Sequence, residues 1–241
     1  MNIVTIATEG EWVDIHAARW LRYVRKHVPD AVTCLILAGQ SQELLHPNHP
    51  VVGAFDKVRV FPMREFDRPW CNRVRLEALD LFELDECLYL DCDADVLGDL
   101  SPIPAFSDKP LLWVRSPVIH QEWFNVCQRK GVGAPKLEAN NCLLYMRQTF
   151  VAEYDKAAAE VDTLDVHPRI RGTIAFNVML LNNPDASAML PDIYGSVRGE
   201  GRTEDGKDYM LKAAVVVQYC ADRGKQKREE LEALWLASQS G

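Results

Sequence analysis

Two aspartates, Asp91 and Asp93, directly follow a short apolar segment that runs from Cys87 to Leu90. This segment has the length and composition of a buried strand, which places both acids at its C-terminal end. Open α/β sheets bind ligands at that edge. Alternate residues of an extended chain point to the same side, so both carboxylates can face one cation, with Asp95 continuing the row if the chain stays extended. Because close carboxylates repel each other, the spacing predicts a hard divalent metal ion that bridges phosphate oxygens.

Three solvated acids in a turn would give the same bare Asp-x-Asp pattern, so the flanking elements decide between the two interpretations. Continuous apolar segments predict strands at 3–8, 31–38, 57–61, 87–90, 111–114, 142–146 and 213–219. Periodic segments predict helices at 11–27, 73–82, 150–161, 174–181 and 225–237, and a glycine-rich charged segment predicts a mobile loop at 198–208. Apolar strands that alternate with helices predict an α/β fold with a mostly parallel central sheet, flanked by helices on both faces.

The bulk composition limits the function classes. The chain has 241 residues, which fits one domain over residues 1–241, and its formal net charge of -8 argues against nonspecific nucleic-acid binding. Seven cysteines without a C-x-x-C pattern predict reduced thiols in a cytoplasmic protein. We see neither a secretory signal nor a membrane-spanning segment in the sequence.

The order of the β-α-β units carries a family resemblance together with three sequence features. These are Arg75, which lies sixteen residues before Asp91, the run Leu88-Tyr89-Leu90-Asp91-Cys92-Asp93, and the run Asp99-Leu100-Ser101-Pro102. The chain resembles the GT-A glycosyltransferases, most closely glycosyltransferase family 8. The resemblance implies a single GT-A domain that binds a nucleotide sugar, usually a UDP-hexose, through Mn²⁺ or Mg²⁺.

The resemblance also assigns roles to individual residues. It makes Asp91 and Asp93 the metal-binding pair. It also makes Cys92, between them, a contact to the nucleotide sugar. It places Arg75 beside the sugar and phosphates, where an always-charged planar group suits both. It places Thr8, at the end of the first strand, against the nucleoside.

Later segments match the family with departures. Asn140 and Asn141 match the entry to a strand beside the donor sugar, although Cys142 stands where glycine is expected and would narrow the room there. Gln218 occupies the place of a histidine metal ligand and would supply an amide oxygen instead. Lys225 matches a residue that binds the diphosphate, with Lys227 as a nearby substitute.

One further departure concerns the donor sugar. Gly172 and Thr173 replace an Asp-Gln pair that contacts the sugar in relatives, and Asn177 matches the asparagine that follows it. The identity of the donor hexose therefore stays open. The implied reaction transfers the hexose to a hydroxyl of a saccharide, glycan or lipid-linked acceptor with retention. Because the sequence offers no evident nucleophile, we favour front-face displacement in which the diphosphate holds the acceptor.

Three alternatives stay open at this point. A phosphohydrolase of the haloacid dehalogenase type also has Asp-x-Asp after a strand, but its first aspartate is a nucleophile near the N-terminus, whereas Asp91 follows three predicted strands. A non-catalytic sugar-nucleotide binding protein would explain the departures at Gln218 and Thr173. A transferase that acts on a hydroxylated base in DNA would use basic patches. Candidates for these patches are Arg19, Arg22, Arg25, Lys26, Arg115, Arg129 and Lys130.

Overall fold

The computed structural model describes residues 1–8, 10, 12–38, 49–61, 68–116, 118–197, 201–202, 208–209 and 215–218. The strands in this part of the chain are β1 (Asn2–Ala7), β2 (Val32–Ala38), β3 (Lys57–Phe61), β4 (Cys87–Leu90), β5 (Ala94–Val96), β6 (Leu111–Arg115), β7 (Ala139–Met146), β8 (Ser187–Met189), β9 (Ser196–Val197), β10 (Gly201–Arg202), β11 (Asp208–Tyr209) and β12 (Val216–Gln218). The α-helices are α1 (Ala18–His27), α2 (Arg68–Leu76), α3 (Ala78–Phe82), α4 (Gln121–Arg129), α5 (Val151–Asp162) and α6 (Pro168–Asn182).

A seven-stranded sheet in the order β3-β2-β1-β4-β7-β6-β8 forms the centre of the fold. The first four strands of this order are parallel, and β6 pairs with β8 in parallel. Strand β7 runs antiparallel to both of its neighbours, β4 and β6. The predicted mostly parallel sheet is therefore confirmed. The sequence does not reveal the reversal at β7, because a strand that is buried on both faces is apolar in either direction.

A second, three-stranded sheet begins immediately after the two aspartates. Strand β5 pairs antiparallel with β12, which pairs in parallel with β9. The described part of the strand predicted at 213–219, β12, thus lies in this small sheet and not in the central one. Strand β10, inside the predicted mobile loop, pairs antiparallel with β11, which begins at the last residue of that loop.

The helices follow the predicted segments with changes at their ends. A π-helical segment, Trp12–Ala17, precedes α1, and the predicted helix at 73–82 is divided into α2 and α3 at Glu77. Helix α6 begins at Pro168, earlier than expected, where a proline fits the first helical position. Helix α4 was not predicted, and the predicted helix at 225–237 lies outside the described residues. No helix of the described residues is long and apolar enough to cross a membrane.

Successive residues of β4 pack into different cores, one on each face of the central sheet. Tyr89 packs with Val74 of α2 and Phe176 of α6, whereas Leu88 and the α1 residue Trp20 belong to the second core. Both faces are thus covered by helices, as the continuous apolar strands predicted. Because side chains alternate along a strand, Asp91 points to the same face as Tyr89, two residues earlier.

Asn177 joins α6 to the first residue of β7. Its Oδ1 accepts a hydrogen bond from the Ala139 backbone N–H at 2.7 Å, and its Nδ2 donates to the Ala139 carbonyl at 3.1 Å. Nδ2 also donates to the carbonyl of Thr173 at 2.9 Å. Asn177 is buried, so these contacts replace the hydrogen bonds that water would otherwise make with the end of the strand. The contacts in the structure give this residue a role in the fold.

We expect Asn177→Ala to lower the free energy of unfolding by about 2 kcal/mol, because it leaves buried backbone groups without partners. Urea denaturation measures the change. Asn183→Ala is the matched control, since the Asn183 amide also donates to a carbonyl four residues earlier, that of Met179, but belongs to a half-buried residue at the helix end. Equal losses in the two variants would contradict the structural role of Asn177.

Candidate functional site

The chain turns sharply after β4. The Asp91 N–H still donates to the Cys142 carbonyl of β7 at 2.8 Å, but the Ala94 N–H then donates to the Asp91 carbonyl at 3.0 Å, which closes a four-residue turn. Cys92 and Asp93 occupy the centre of this turn. The chain therefore does not stay extended after Asp91, which was the condition for Asp95 to continue the row.

Asp95 does not continue the row. It lies in β5 with 1% of its side chain exposed, and both of its carboxylate oxygens contact Arg19 of α1. The guanidinium Nε lies 3.0 Å from Oδ1, and NH2 lies 2.7 Å from Oδ2. This paired geometry is the strong form of an arginine–carboxylate contact. Asp95 therefore fastens the small sheet to α1.

Asp91 and Asp93 lie on a cavity of about 150 Å³. Its lining combines the end of β1, the segment before α1, helix α2, and the end of β4 with the following turn. The lining residues are Ile6, Thr8, Trp12, Arg75, Tyr89, Asp91, Cys92 and Asp93. The structure thus brings together five residues that the sequence singled out, at the C-terminal edge of parallel strands where α/β folds bind ligands.

Asp91 has two close partners inside the cavity. Arg75 places its NH2 group 2.7 Å from Oδ1, and the Tyr89 hydroxyl donates to the same oxygen at 2.6 Å. Burial raises the pKa of Asp91, while the Arg75 charge and the Tyr89 hydrogen bond act in the opposite direction. Burial also raises the pKa of Tyr89 well above its ordinary value, so its hydroxyl stays protonated and available as a donor.

Arg75 is held by groups from three elements. Its Nε donates to the Tyr89 hydroxyl at 3.1 Å, and its NH1 donates to Asn72 Oδ1 at 2.8 Å and to the Asn141 carbonyl at 3.4 Å. The guanidinium also lies over the Tyr89 ring, 5.2 Å from its centroid. These contacts fix the cation beside Asp91.

The other residues predicted near the donor sugar lie outside the cavity lining. Asn141 touches Arg75 through its carbonyl and donates through Nδ2 to Asn72 Oδ1, whereas the Asn140 side chain accepts from the Cys142 N–H at 3.1 Å. Thr173 contacts Asn177 through its carbonyl. The Cys142 side chain does not narrow this cavity. It packs into the core on the sheet face opposite Tyr89.

Gln218 reaches the neighbourhood of the acids through the small sheet. Its backbone pairs with Ala94, the residue that follows Asp93. The backbone pairing places Gln218 next to the turn, and its role as a metal ligand stays a prediction. Lys225 and Lys227 lie outside the described residues.

Three lining residues, Ile6, Trp12 and Tyr89, were not assigned to the site from the sequence. Trp12 is 37% exposed although it is a large aromatic residue, and its ring centroid lies 4.7 Å from that of His16. The available sequence signal was a tryptophan at the start of the first predicted helix, four residues after the end of the first predicted strand. Tyr89 was predictable from strand alternation, because it precedes Asp91 by two residues.

Several cations of the supposed basic patches have acidic partners in the structure. Arg115 pairs with Asp192, and Lys130 pairs with Glu160 at 2.7 Å. Together with the Arg19 ion pair, these contacts reduce the positive charge available to a DNA backbone.

The chemistry of the cavity fits a hard divalent cation. Among the described residues, no group of three or more histidine, cysteine, aspartate and glutamate side chains could form an all-protein metal site. Two carboxylates do line one cavity, and Mg²⁺ is usually held by one or two carboxylates together with phosphate oxygens and water. The coordination of a metal at this site would therefore be completed by phosphate oxygens of a bound ligand and by water.

No protein-family model and no curated protein matches the chain. Among solved structures, it is similar to the galactosyltransferase LgtC in complex with donor and acceptor sugar analogs, with a TM-score of 0.65 and 15% identity over 98% of this chain and 96% of that one. Mouse xyloside xylosyltransferase 1 gives a TM-score of 0.61 and 10% identity over 92% and 99% of the two chains. GlyE from Streptococcus pneumoniae TIGR4 gives 0.60 and 16% over 98% and 62%. The chain therefore has the GT-A fold that its sequence predicted.

Proposed function

We propose that this protein is a metal-dependent glycosyltransferase that moves a hexose from a nucleotide diphosphate sugar, with UDP as the nucleotide, to a hydroxyl acceptor. The observation that carries the proposal is the shared cavity of Asp91, Asp93 and Arg75 at the sheet edge. The fold likeness supports it, since LgtC was solved with donor and acceptor sugar analogs.

Asp91 and Asp93 would hold Mn²⁺ or Mg²⁺, with Gln218 as the candidate third protein ligand. The bound cation stabilises the negative charge that develops on the departing diphosphate. Arg75 adds a fixed positive charge on the same side of the cavity. Lys225 is the proposed additional contact to the diphosphate.

The end of the cavity at β1 would take the nucleoside. Thr8 offers a hydroxyl and Trp12 an exposed aromatic face, and both line the cavity. An exposed aromatic ring binds a flat base by stacking.

We expect Trp12→Ala to weaken UDP binding about tenfold, because base stacking on an aromatic side chain contributes about 1–3 kcal/mol. Isothermal titration with UDP and Mn²⁺ measures the change, and Trp12→Phe should restore most of the affinity. Phe106→Ala is the matched control, since Phe106 is also exposed but does not line the cavity. Unaltered UDP affinity in Trp12→Ala would place the base elsewhere.

The cavity lining also bears on the stereochemistry. Asp91 and Asp93 are the carboxylates among the described lining residues, and both are assigned to the metal. A covalent intermediate would need another nucleophile. We therefore propose retention by front-face displacement, in which the acceptor hydroxyl attacks the anomeric carbon on the side that the diphosphate leaves and passes its proton to the diphosphate.

The acceptor is proposed to be a saccharide, a glycan or a lipid-linked sugar. We propose Asn140, Asn141 and Thr173 as contacts to the transferred sugar from the family resemblance, and the contact of the Asn141 carbonyl with Arg75, a lining residue, supports Asn141. We also propose a reducing, cytoplasmic environment, because the five described cysteines are buried free thiols.

A thermal-shift panel of nucleoside diphosphates and nucleotide sugars, with and without Mn²⁺, tests the proposal. A ligand that binds the folded state raises Tm, so UDP and one or more UDP-hexoses should raise it only when Mn²⁺ is present. A panel in which no nucleoside diphosphate changes Tm would contradict the proposed function.

A further inference from the structure

We propose that Tyr89 is a positioning residue that orients Asp91 for metal binding and holds Arg75 beside it. The inference rests on the proposed function, because it concerns how the same cavity binds its metal and nucleotide. Neither the sequence nor the fold likeness assigns this role to Tyr89.

The hydrogen bonds around the Tyr89 hydroxyl have a defined direction. Arg75 Nε can only donate, so at 3.1 Å the tyrosine oxygen must be its acceptor. The single hydroxyl proton is then directed to Asp91 Oδ1 at 2.6 Å. Tyr89 thus links a cation to a carboxylate through one oxygen, and it fixes the orientation of both side chains.

Burial makes this link difficult to replace. Tyr89 is 1% exposed, and its ring is packed in the core of the central sheet. Packing of the ring therefore fixes the position of the hydroxyl, and the hydrogen bond from the hydroxyl fixes the orientation of the Asp91 carboxylate. Ligands held in place by such neighbouring groups bind metals about 10–100-fold more tightly than the same ligands without them.

Arg75 completes the arrangement. Its NH2 contacts Asp91, its Nε contacts Tyr89, and its NH1 contacts Asn72, so each nitrogen of the guanidinium has its own protein partner. The guanidinium also stacks over the Tyr89 ring. Removing the hydroxyl alone would keep the ring and the Arg75–Asp91 ion pair, which makes the hydroxyl separately testable.

The opposite edge of the sheet offers a matched control. The Tyr145 hydroxyl of β7 donates to Glu86, and the guanidinium of Arg147 lies over the Tyr145 ring, 4.9 Å from its centroid. Tyr145 is fully buried, as Tyr89 is. Each tyrosine hydroxyl thus donates to a carboxylate and each ring lies beside an arginine, but Tyr145 does not line the cavity. Tyr145→Phe reports what the loss of such a hydroxyl does to the fold alone.

The experiment compares Tyr89→Phe with Tyr145→Phe in the full chain. Electron paramagnetic resonance of free Mn²⁺ gives the metal affinity in the presence of UDP, and urea denaturation gives the stability. We expect Mn²⁺ affinity to fall about tenfold in Tyr89→Phe and by less than twofold in Tyr145→Phe, with similar losses of stability.

Each outcome decides between the two proposals. Mn²⁺ affinity that is unchanged in Tyr89→Phe while the wild type binds Mn²⁺ and UDP overturns the positioning role and leaves the proposed function standing. A wild type that binds no Mn²⁺ with UDP removes both proposals. A Tyr89→Phe chain that is unfolded without urea assigns the hydroxyl to the fold and likewise overturns the positioning role.

Discussion

Asp93→Ala is expected to leave a folded protein that has lost Mn²⁺-dependent UDP binding. Asp93 lies at the centre of the turn after β4, lines the cavity and is 7% exposed. The site offers two carboxylates, so the variant would keep only Asp91, whose Oδ1 already has contacts with Arg75 and Tyr89. We expect the affinity for Mn²⁺ with UDP to fall by at least about 100-fold, since a direct ligand contributes more than the groups behind it.

Isothermal titration of UDP with and without Mn²⁺ measures this loss, and Mg²⁺ is tested in parallel. Asp85→Ala is the matched control, because Asp85 is an exposed aspartate at the other end of β4. It removes the same charge from the chain and should leave binding unaltered. Metal-dependent UDP binding that persists in Asp93→Ala would count against the assignment of the metal pair.

Asp95→Ala is expected to lower the stability of the fold and to leave metal binding unchanged. The substitution leaves Arg19, which is 14% exposed, without the carboxylate that pairs with it. Removing one partner of a buried ion pair costs about 3–5 kcal/mol, and the lower end applies because Arg19 retains some exposure. A loss of about 3 kcal/mol corresponds to a decrease in Tm of about 6–12 °C for a chain of this size.

The double variant Arg19→Met with Asp95→Leu provides the control. Replacing both members of a buried ion pair with apolar side chains is often neutral, so the double variant should recover most of the stability lost in Asp95→Ala. Differential scanning calorimetry measures the three proteins. If Asp95→Ala instead kept its Tm and lost Mn²⁺ affinity, Asp95 would be a metal ligand, as an extended row of acids implied.

The contrast between these acids shows what the sequence predicts and what it does not. The apolar run before Asp91 identifies a buried strand and therefore the edge at which its acids lie. The turn from Asp91 to Ala94 cannot be told from an extended row by sequence, because aspartate is common in turns as well as in metal sites and residues 92–94 include neither glycine nor proline. The Arg19 partner of Asp95 is distant in the sequence, and pairing of such distant residues depends on how the elements pack.

The same limits apply to the rest of the fold. The parallel β1 to β4 region follows from apolar strands alternating with helices. The direction of β7 does not, because the apolar segment at 142–146 reads the same for a parallel or an antiparallel strand. Arg75 could be selected by its place before β4, but the tyrosine and asparagine side chains that hold it become apparent only when α2, β4 and β7 are packed together.

The proposed cavity chemistry is binding of a nucleotide sugar and cleavage of the bond between its sugar and the diphosphate. The most direct measurement is the release of UDP from UDP-hexoses by the full chain in the presence of Mn²⁺, without an added acceptor and with a phosphomonoester in a parallel sample. We predict slow, Mn²⁺-dependent release of UDP that is lost in Asp93→Ala, and no turnover of the phosphomonoester. Binding of UDP-hexoses without any release would identify a non-catalytic binding protein, and turnover of the phosphomonoester would identify a phosphohydrolase; either result would contradict a glycosyltransferase.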